Sequence, residues 1–542
     1  MATTIDDWEQ FISYAYALRS NLASGGWYYR IESLPNVPLN AQYLPIGGYW
    51  AATSHPEVAG TAETQPRIAG GRYTAGVMRP IQWTTSHGTL DVYIAAGADG
   101  SGGEGQGGGK LAHDFGINMR RGQFVQLTMA ASWAPDLEFV VFRGRVRQFY
   151  RRQDGMWVVN VVELPGCLQR RTHELEGALF AGLETSITVG GGLTPAYTAG
   201  AATMTLAGSY ANLDKPTAQT SYCILVTPTG ADPFYLTGTL SGATFTITGR
   251  NLFGTTDASC TLGDAVQEVA FFDTHPLETL LILLTSTGDG TNGAWDQAPA
   301  SWGYGLPIEM VDYEGIEMAI GGSTPGGGAA VGWRIFSDSA QESPGEWIET
   351  WLKNAGYVLV FKRGKLSIAY AGAPPMLPGS NRRSILLDDF FINRFEHLAF
   401  EWPGEYDAVR VVGPSGVAST AQSATWNWPN LGTATYTLEY AWASTSSWRD
   451  HVLGRLRHWC QRTPERIELT VAGLDAAKAG PGDVLEIRTS LISRRDGYPF
   501  DGSREPQYWF IALLEADWFA HSTKIVAYLL PEDAAQWWNS RT

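Results

Sequence analysis

The stretch that decides the fold lies near the C-terminus and consists of PGDVLEI at 481–487, YWFIALLEADW at 508–518 and KIVAYLL at 524–530. The Pro-Gly-Asp sequence at 481–483 is a turn signal that starts a strand. The two later runs are apolar and end before Pro531, and RIELTVAGL at 466–474 precedes them as a further strand. Together these segments predict a β-barrel module that closes the chain.

A similar strand pair occurs much earlier, with FVVFRGRVRQFY at 139–150 and MWVVNVVEL at 156–164. Asp154 and Gly155 stand between the two runs and supply the turn of a hairpin. The match is one of strand pattern and turn placement. Two related β units in one chain favour a protein that builds a ring or a tube.

Length and composition predict a folded protein of several domains. At 542 residues the chain has room for three or four domains of ordinary size. Its residues are 44% apolar and 17% charged, and the 62 glycines and 28 prolines are spread along the chain. This composition is typical of a turn-rich globular protein.

The charge balance argues against nucleic acid as the main ligand. The chain has 54 acidic and 38 basic residues, a formal charge of -16. Phosphate binding requires clustered Lys and Arg, which this balance does not favour. A like-charged wall would nevertheless let a polyanion slide past without binding.

The cysteines and the apolar segments predict a protein folded in a cytoplasm. The four cysteines are far apart and none has a zinc-ligand partner nearby, so we expect buried free thiols: Cys167, Cys223, Cys260 and Cys460. The N-terminal MATTIDDWEQ is acidic and does not predict a signal peptide. The longest apolar run, near 280–284, is much shorter than the roughly 20 residues of a membrane span.

The first predicted domain covers residues 1–175. Apolar residues at helical spacing predict a helix over 5–22, starting at Ile5, and strands such as TLDVYIAA at 89–96 follow. The glycine-rich segment 97–110 predicts an exposed flexible loop. It does not fit a phosphate-binding Walker A loop. That motif needs Gly six residues before the Lys and Ser or Thr directly after it, whereas Lys110 has Glu104 and Leu111 at those positions.

Two domains are predicted in the middle of the chain. Residues 187–268 consist of short alternating runs with few charges, typical of a small β barrel or sandwich. Residues 269–390 contain a helix with Pro276 in its first turn. Gly/Pro-rich hinges are predicted at 321–330 and 372–380.

A second helix and a hairpin complete the third domain. Ser343 and Glu346 fit a capping box around Pro344, and Gly356 fits the left-handed residue that ends the helix. YVLVFKRGKLSIAY, residues 357–370, then predicts a hairpin that turns through 362–365.

The last predicted domain covers 391–542 and includes a helix over 447–462. Its apolar face contains tryptophans such as Trp448 and Trp459. Its arginines fit a solvated face or a subunit contact better than a nucleic-acid site.

The sequence predicts no catalytic, cofactor-binding or metal-binding residue, and no enzyme. His275 precedes Pro276 at a helix start and fits a cap or core residue. His451 and His458 lie near one helix face but without further ligands at metal spacing. Asp388 and Asp389 are adjacent, which on a strand sends them to opposite faces rather than into an acid-base pair.

The 21 tryptophans allow two interpretations. Trp347 and Trp351 fall on a helical apolar face and fit a core or a subunit interface. Trp537 and Trp538 in the polar tail fit exposed residues or residues docked against a partner, and exposed tryptophans would also suit sugar stacking. A Trp-rich carbohydrate-binding or cell-wall-degrading protein is therefore the alternative function.

Four segments, in order, resemble the baseplate hub or tail hub of long-tailed bacteriophages, which is related to the central hub of contractile-tail baseplates. They are residues 142–170, residues 247–269, HPLETLLILLT at 275–285 with 347–368, and residues 464–487 with 508–518. The long loop at 97–110 and the Trp-rich tail depart from the simplest hub pattern. The resemblance thus extends over much of the chain from Phe139 to Leu530.

The resemblance implies a mainly β, α+β multidomain fold with tandem hub-type β-barrel domains, an inserted small β domain and a helix-containing connecting domain. It also implies a homotrimer whose two barrels per subunit make a pseudo-six-fold ring. Such a ring adapts a six-fold tail tube and distal tail protein to a three-fold tip, holds the tape-measure protein, meets a tail fibre or receptor-binding protein, and opens for DNA. The expected location is the virion, and no cofactor is expected.

Overall fold

The fold was analysed in a computed structural model of the chain. It describes residues 3–5, 26–34, 50–54, 67–79, 84–95, 119–131, 137–154, 156–169, 180, 183–192, 194–208, 213–217, 219–287, 295–299, 302–323, 333–337, 344–370, 385–387, 392–398, 408–412, 418–422, 435–439, 443–444, 453, 465–487, 489–493, 499–500 and 508–529. Strands dominate these residues, as the sequence predicts, and four α-helices accompany them.

The first β unit contains ten strands and a short helix. They are β1 (Thr3–Ile5), β2 (Trp27–Ser33), β3 (Ala51–Thr53), β4 (Arg67–Thr74), β5 (Met78–Arg79), β6 (Thr84–Thr85), β7 (Thr89–Ala95), β8 (Phe124–Ala131), β9 (Leu137–Arg151), β10 (Trp157–Glu163) and α1 (Leu164–Gln169). The sheet order is β1-β9-β10-β7-β4-β3-β2-β8, and β8 also pairs with β9. This second pairing closes the sheet into the predicted barrel.

Alternation of apolar and polar residues explains which face of the barrel is buried. In β7, Leu90, Val92 and Ile94 are fully buried while their neighbours are half-buried. In β9 nearly every residue from 138 to 146 is buried, because elements outside the barrel cover its second face. Arg143, for example, donates from this strand to the carbonyl of Glu309 at 2.7 Å.

The predicted helix over 5–22 is wrong at its first residue. Ile5 ends strand β1, which runs parallel to β9 and pairs Thr3 with Leu137 and Ile5 with Phe139. Pairing with a strand more than 130 residues away satisfies this backbone, so a local helical period does not decide it. The rest of that predicted helix lies outside the described residues.

The small β unit is an antiparallel sheet. Its strands are β11 (Ile187–Thr188), β12 (Thr203–Thr205), β13 (Tyr222–Thr227), β14 (Phe234–Ser241), β15 (Thr244–Gly249) and β16 (Ala265–Phe272). On β13, Ile224 and Val226 enter one apolar cluster while Cys223 enters another, so both faces of the sheet are covered.

The sheet of the small β unit continues into the next part of the chain. Strand β17 (Trp333–Ser337) pairs with the end of β16, where Phe271 faces Phe336. Between β16 and β17 run two helices, α2 (Pro276–Thr285) and α3 (Tyr313–Ser323). Helix α4 (Pro344–Ala355) follows β17 and precedes the hairpin of β18 (Tyr357–Lys362) and β19 (Lys365–Tyr370).

Several local predictions for this region are confirmed. Helix α2 begins at Pro276, and Gly356 ends α4 with a φ of 90°. The hairpin turns at Arg363 and Gly364, both with positive φ (54° and 73°), as a type I′ turn requires. Ser343, the hinge at 372–380 and the glycine-rich loop 97–110 lie outside the described residues, as does 324–330 of the other hinge. Residues 321–323 of that predicted hinge are helical instead, because α3 extends to Ser323.

The C-terminal β unit is a six-stranded sheet with smaller sheets beside it. Its strands are β20 (Ile385–Leu387), β21 (Ile392–Leu398), β22 (Ala408–Val412), β23 (Ala418–Gln422), β24 (Thr435–Glu439), β26 (Arg466–Ala472), β27 (Val484–Ile487), β28 (Thr489–Ser493), β29 (Pro499–Phe500), β30 (Tyr508–Asp517) and β31 (Ser522–Leu529). Strand β25 (Ala443–Ser444) lies in the same stretch of sequence but pairs with β17 and extends the sheet of the small β unit. The main sheet has the order β20-β27-β30-β31-β26-β21. The strands predicted from the opening segments are confirmed, while the helix predicted over 447–462 lies outside the described residues apart from Leu453.

Candidate functional site

The two β units share one apolar core. A single buried cluster contains Leu127 and Val161 of the first unit together with Leu469, Trp509 and Ile525 of the second. Each of these side chains is fully buried. The two units therefore hold a fixed relation within the chain, and the place where they meet is the best candidate for a functional site.

Aromatic side chains join the two β units at one edge of the region where they meet. The hydroxyl of Tyr29, on β2, donates to the backbone carbonyl of Trp518 at 2.8 Å and lies 2.9 Å from Nε2 of His521. The Tyr29 ring also packs on Phe519, with centroids 4.6 Å apart. The tight turn between β30 and β31 is thereby held against the first barrel.

The hairpin β18–β19 forms a second tie between the units. Phe361 packs against both large apolar clusters, and its ring centroid lies 5.0 Å from that of Phe142 on β9. At the tip, a Cβ built on Gly364 lies 3.5 Å from the backbone carbon of Val141. The hairpin from the connecting region thus reaches the backbone of the first barrel.

The Pro-Gly-Asp turn at 481–483 binds the same hairpin from the other side. The Asp483 carboxylate pairs with Lys362 and lies 3.8 Å from Arg363. The same carboxylate also stabilises its own turn, because the amide of Gly480 donates to Asp483 Oδ2 at 3.0 Å. Gly482 has a φ of 88°, which favours glycine. We call this region, where hairpin, turn and both β units meet, the junction.

A buried carboxylate lies at the first-unit side of the junction. Glu163, the last residue of β10, is 3% exposed and accepts a hydrogen bond from the Tyr73 hydroxyl at 2.9 Å. Backbone groups of Gly76 and Gly88 also hydrogen-bond to it. Burial raises the pKa of Glu163 to about 7, against the lowering effect of these hydrogen bonds.

The two glycines leave room for that carboxylate. A Cβ built on Gly76 lies 2.8 Å from Glu163 Oε1, and one built on Gly88 lies 2.5 Å from Oε2. Both distances are shorter than ordinary van der Waals contact. The backbone therefore approaches the carboxylate more closely than any other residue type allows.

Glu515 of β30 reaches toward the same place from the C-terminal unit. Its carboxylate accepts from the amide of Ala75 at 3.1 Å. Burial raises its pKa, while Lys524 and Arg72 act in the opposite direction. Burial raises the pKa of Tyr73, and Glu163 and Glu515 raise it further, so this hydroxyl remains protonated and donates.

The cavity at the junction is too small for a substrate. Tyr73, Glu163, Phe361, Pro481 and Leu514 are among its lining residues. Its volume of about 10 Å³ has room for at most one water molecule. The raised pKa of Glu163 therefore belongs to a packed contact between units, and the geometry at this place positions the units.

His275 lies where the sequence prediction expects it. Its Nδ1 accepts from the amide of Leu277 at 3.1 Å, and Glu278 accepts from the amide of His275 at 3.3 Å, which completes a capping box. Burial lowers the pKa of His275 to about 4, so the ring is neutral at pH 7. The predicted cap or core role is confirmed.

For some of the other residues singled out in the sequence the prediction is confirmed, and others lie outside the described side chains. Cys223 and Cys260 are buried free thiols, as expected. Trp351 is fully buried and Trp347 packs on the same core. The following residues lie outside the part whose side chains are described: Cys167, Asp388, Asp389, Trp448, His451, His458, Trp459, Cys460, Trp537 and Trp538.

Among the described residues, no group of three or more His, Cys, Asp or Glu side chains is arranged to hold a metal ion. In the same part of the chain, no helix is both long enough and apolar enough to cross a membrane.

Glu163 is not among the residues predicted from the sequence. One signal could have identified it: an acidic residue ends the apolar run WVVNVVE. Glycines also occur at 76, between β4 and β5, and at 88, between β6 and β7. Such an acidic residue is buried only if a partner is provided. That partner, Tyr73, is 90 residues away, so the local pattern does not reveal it.

No family model and no curated protein matches this chain. Among solved structures, the chain is similar to a 43 kDa tail protein of prophage MuSo2 from Shewanella oneidensis, with 11% identity and a TM-score of 0.35. The alignment covers 86% of this chain and 95% of that one.

Two further tail proteins match over similar lengths. A tail protein from Neisseria meningitidis is 9% identical over 84% of this chain and 90% of that one, with a TM-score of 0.33. A prophage tail protein from Listeria monocytogenes is 8% identical over 84% and 87%, with a TM-score of 0.35. The predicted resemblance to phage tail proteins is thus confirmed, but likenesses at these TM-scores by themselves assign no function to this chain.

Proposed function

We propose that the protein is the structural hub of a bacteriophage baseplate or tail tip. Three copies form a ring that adapts the six-fold tail tube and distal tail protein to a three-fold tip. The ring closes the tail channel, and it lets DNA pass on ejection. The proposal rests on the ordered hub-like segments of the sequence and on the way the chain joins its β units.

The observation that carries the proposal is the common core of the two β units. A three-membered ring with six barrel-like positions needs two units per subunit in a fixed relation. Three contacts maintain that relation here. The Tyr29 hydroxyl donates to the Trp518 carbonyl, the Phe361 ring packs on Phe142, and Asp483 pairs with Lys362 of the hairpin. Each copy therefore supplies a preassembled pair rather than two units on a flexible linker.

The charge of the chain suits a conduit for DNA. Three copies at -16 each carry -48 formal charges. An acidic channel wall repels the phosphate backbone, so DNA transits without specific binding. Domain contacts and a gate, rather than bond chemistry, then perform the work, and we assign the protein no enzymatic role.

The proposed partners follow from this position in the tail. They are two further copies of the chain, the distal tail protein, the tail tube, the tape-measure protein, and a tail fibre or receptor-binding protein. Assembly takes place in the host bacterial cytoplasm and the mature location is the virion. The proposed domains are 1–175, 187–268, 269–390 and 391–542.

No described tryptophan favours the carbohydrate-binding alternative. The large apolar side chains that are clearly exposed, among residues whose burial is described, are Val77, Tyr150 and Leu262. The tryptophans in that part of the chain are buried or half-buried, so they support packing.

Mass photometry and electron microscopy of the purified full chain test the proposal. We expect a three-fold ring, alone or with the distal tail protein. A strictly monomeric particle under both conditions overturns it. Saturable binding on a glycan array or a clearing zone in a zymogram points instead to the sugar-binding or cell-wall-degrading function.

A further inference from the structure

Strand β9 continues beyond the barrel, and there one of its edges has no strand partner among the described residues. Strand β8 pairs with β9 only as far as Phe124 opposite Arg145, and two backbone hydrogen bonds at Val146 end the contact. Strand β10 continues to pair with β9 up to Arg151 on the other side. In the described part of the chain, no strand pairs with the second edge of residues 147–150.

A β-bulge marks the point where the strand leaves the barrel. Val161 pairs with Val146 while Asn160 pairs with Gln148, so Arg147 is the extra residue. Bulges are common at barrel rims, where they redirect side chains. Arg147 is accordingly exposed, whereas Val146 beside it is 1% exposed.

The exposed side chains near this edge are basic and aromatic. Tyr150 is 46% exposed, and Gln148 is exposed beside it. Exposed arginines surround the edge at positions 120, 121, 147, 151 and 152, and the last of them pairs with Asp154 at 3.2 Å. Arg and Tyr are the residue types that contribute most often to protein interfaces.

This edge is basic in a chain whose overall charge is -16. Cationic side chains on an open edge disfavour pairing with neutral or basic strands, and they favour an acidic partner. The remainder of the chain is itself acidic, so another copy of the chain has the required charge.

We propose that residues 147–150 of β9 dock on the acidic surface of a second copy and form part of the contact between neighbouring subunits of the ring. This inference rests on the proposed function and adds the surface through which copies meet. A two-fold symmetric contact through this edge would bring arginine against arginine, which costs free energy. The contact is therefore heterologous, with the edge meeting a different surface, and a heterologous contact repeated with a closing rotation generates a ring.

Charge reversal at the edge tests the inference. The double variant Arg147→Glu with Tyr150→Ser changes two exposed side chains. The control, Arg410→Glu, reverses an exposed arginine on β22. Circular dichroism and the thermal midpoint verify that both variants fold. Mass photometry across a dilution series of the full chain then measures assembly, and hydrogen exchange measures protection at 147–150.

We expect the double variant to require at least about tenfold higher concentration to assemble. The control should match the wild type, and raising NaCl from about 50 to about 500 mM should weaken wild-type assembly. Amides 147–150 should become protected when the wild type assembles.

Three results overturn the inference. Wild-type trimers with unchanged assembly of the double variant refute this surface but leave the hub proposal intact. Loss of distal tail protein binding with unchanged trimers assigns the edge to that partner instead. A wild type that remains monomeric with and without the distal tail protein removes both proposals.

Discussion

The hydroxyl of Tyr29 donates to the backbone carbonyl of Trp518 at 2.8 Å and so joins residues 489 positions apart in the chain. The bond connects the second strand of the first barrel to the turn between the last two strands. Both residues are buried, at 9% and 4% exposure. Few contacts describe the relation of the two β units so directly, and removing this one tests how much it contributes.

Replacing Tyr29 with Phe should lower the free energy of unfolding by about 1 to 2 kcal/mol. The ring can still pack on Phe519, but the Trp518 carbonyl loses its donor in a buried place. Urea denaturation measures the loss. Tyr150→Phe, measured at a dilution where the chain is monomeric, is the matched control, since Tyr150 is exposed in the single chain and the same change there should stay within about 0.5 kcal/mol. Equal effects of the two changes contradict the prediction.

Glu163 should make the protein less stable as the pH rises from 4.5 to 7. Its pKa is raised from 4.5 to about 7, so the folded state binds more protons than the unfolded state within this window. Stability from this group is thus fully present below about pH 4.5 and lost as the pH passes 7. The full difference amounts to about 3 kcal/mol.

Urea titrations at several pH values between 5 and 8 measure this dependence. The neutral variant Glu163→Gln should have a flatter profile because one titrating group has been removed. Below about pH 6.5 the remaining slope should be small, because His275, with a pKa lowered to about 4, acts opposite to Glu268, whose pKa burial raises to about 7. A variant profile parallel to that of the wild type shows that Glu163 does not titrate in this window.

Local chemistry explains why much of the fold can be predicted from the sequence. Turn residues, a Pro at the start of a helix and the alternation of apolar and polar residues in a strand each determine structure within a few residues of themselves. The turn at Arg363 and Gly364 and the cap at His275 therefore follow from the sequence directly. The strands after Asp483 do so for the same reason.

Non-local contacts explain the rest. Ile5 lies in a strand because Phe139 is available opposite it, and nothing near Ile5 records that partner. Likewise the open edge at Tyr150 depends on where β8 ends, and Glu163 depends on glycines in two distant loops. The junction is assembled entirely from such contacts, so the sequence predicts its parts but not their meeting.

Gly76→Ala should destabilise the protein by at least about 2 kcal/mol. The new Cβ would lie 1.9 Å from the Ser86 carbonyl oxygen and 2.8 Å from Glu163 Oε1, so backbone must move. Gly192→Ala is the matched control, because a Cβ there meets nothing within 4 Å. Thermal and urea unfolding of both variants decide the outcome, and equal stability would refute the close approach.

The pair of Lys362 and Asp483 should show a favourable coupling of about 1 to 2 kcal/mol. Their side chains are 12% and 15% exposed, so water screens the charges poorly. Asp483→Asn alone should cost more than the coupling, because Lys362 and Arg363 then lose their shared anion.

A double-mutant cycle with Lys362→Met, measured by urea denaturation, isolates the pair. The control cycle uses Arg152→Met and Asp154→Asn, whose side chains are 44% and 41% exposed and should couple by less than about 0.5 kcal/mol. If the two cycles give the same coupling energy, the Pro-Gly-Asp turn does not hold the hairpin through charge, and apolar packing at Phe361 must hold the junction together.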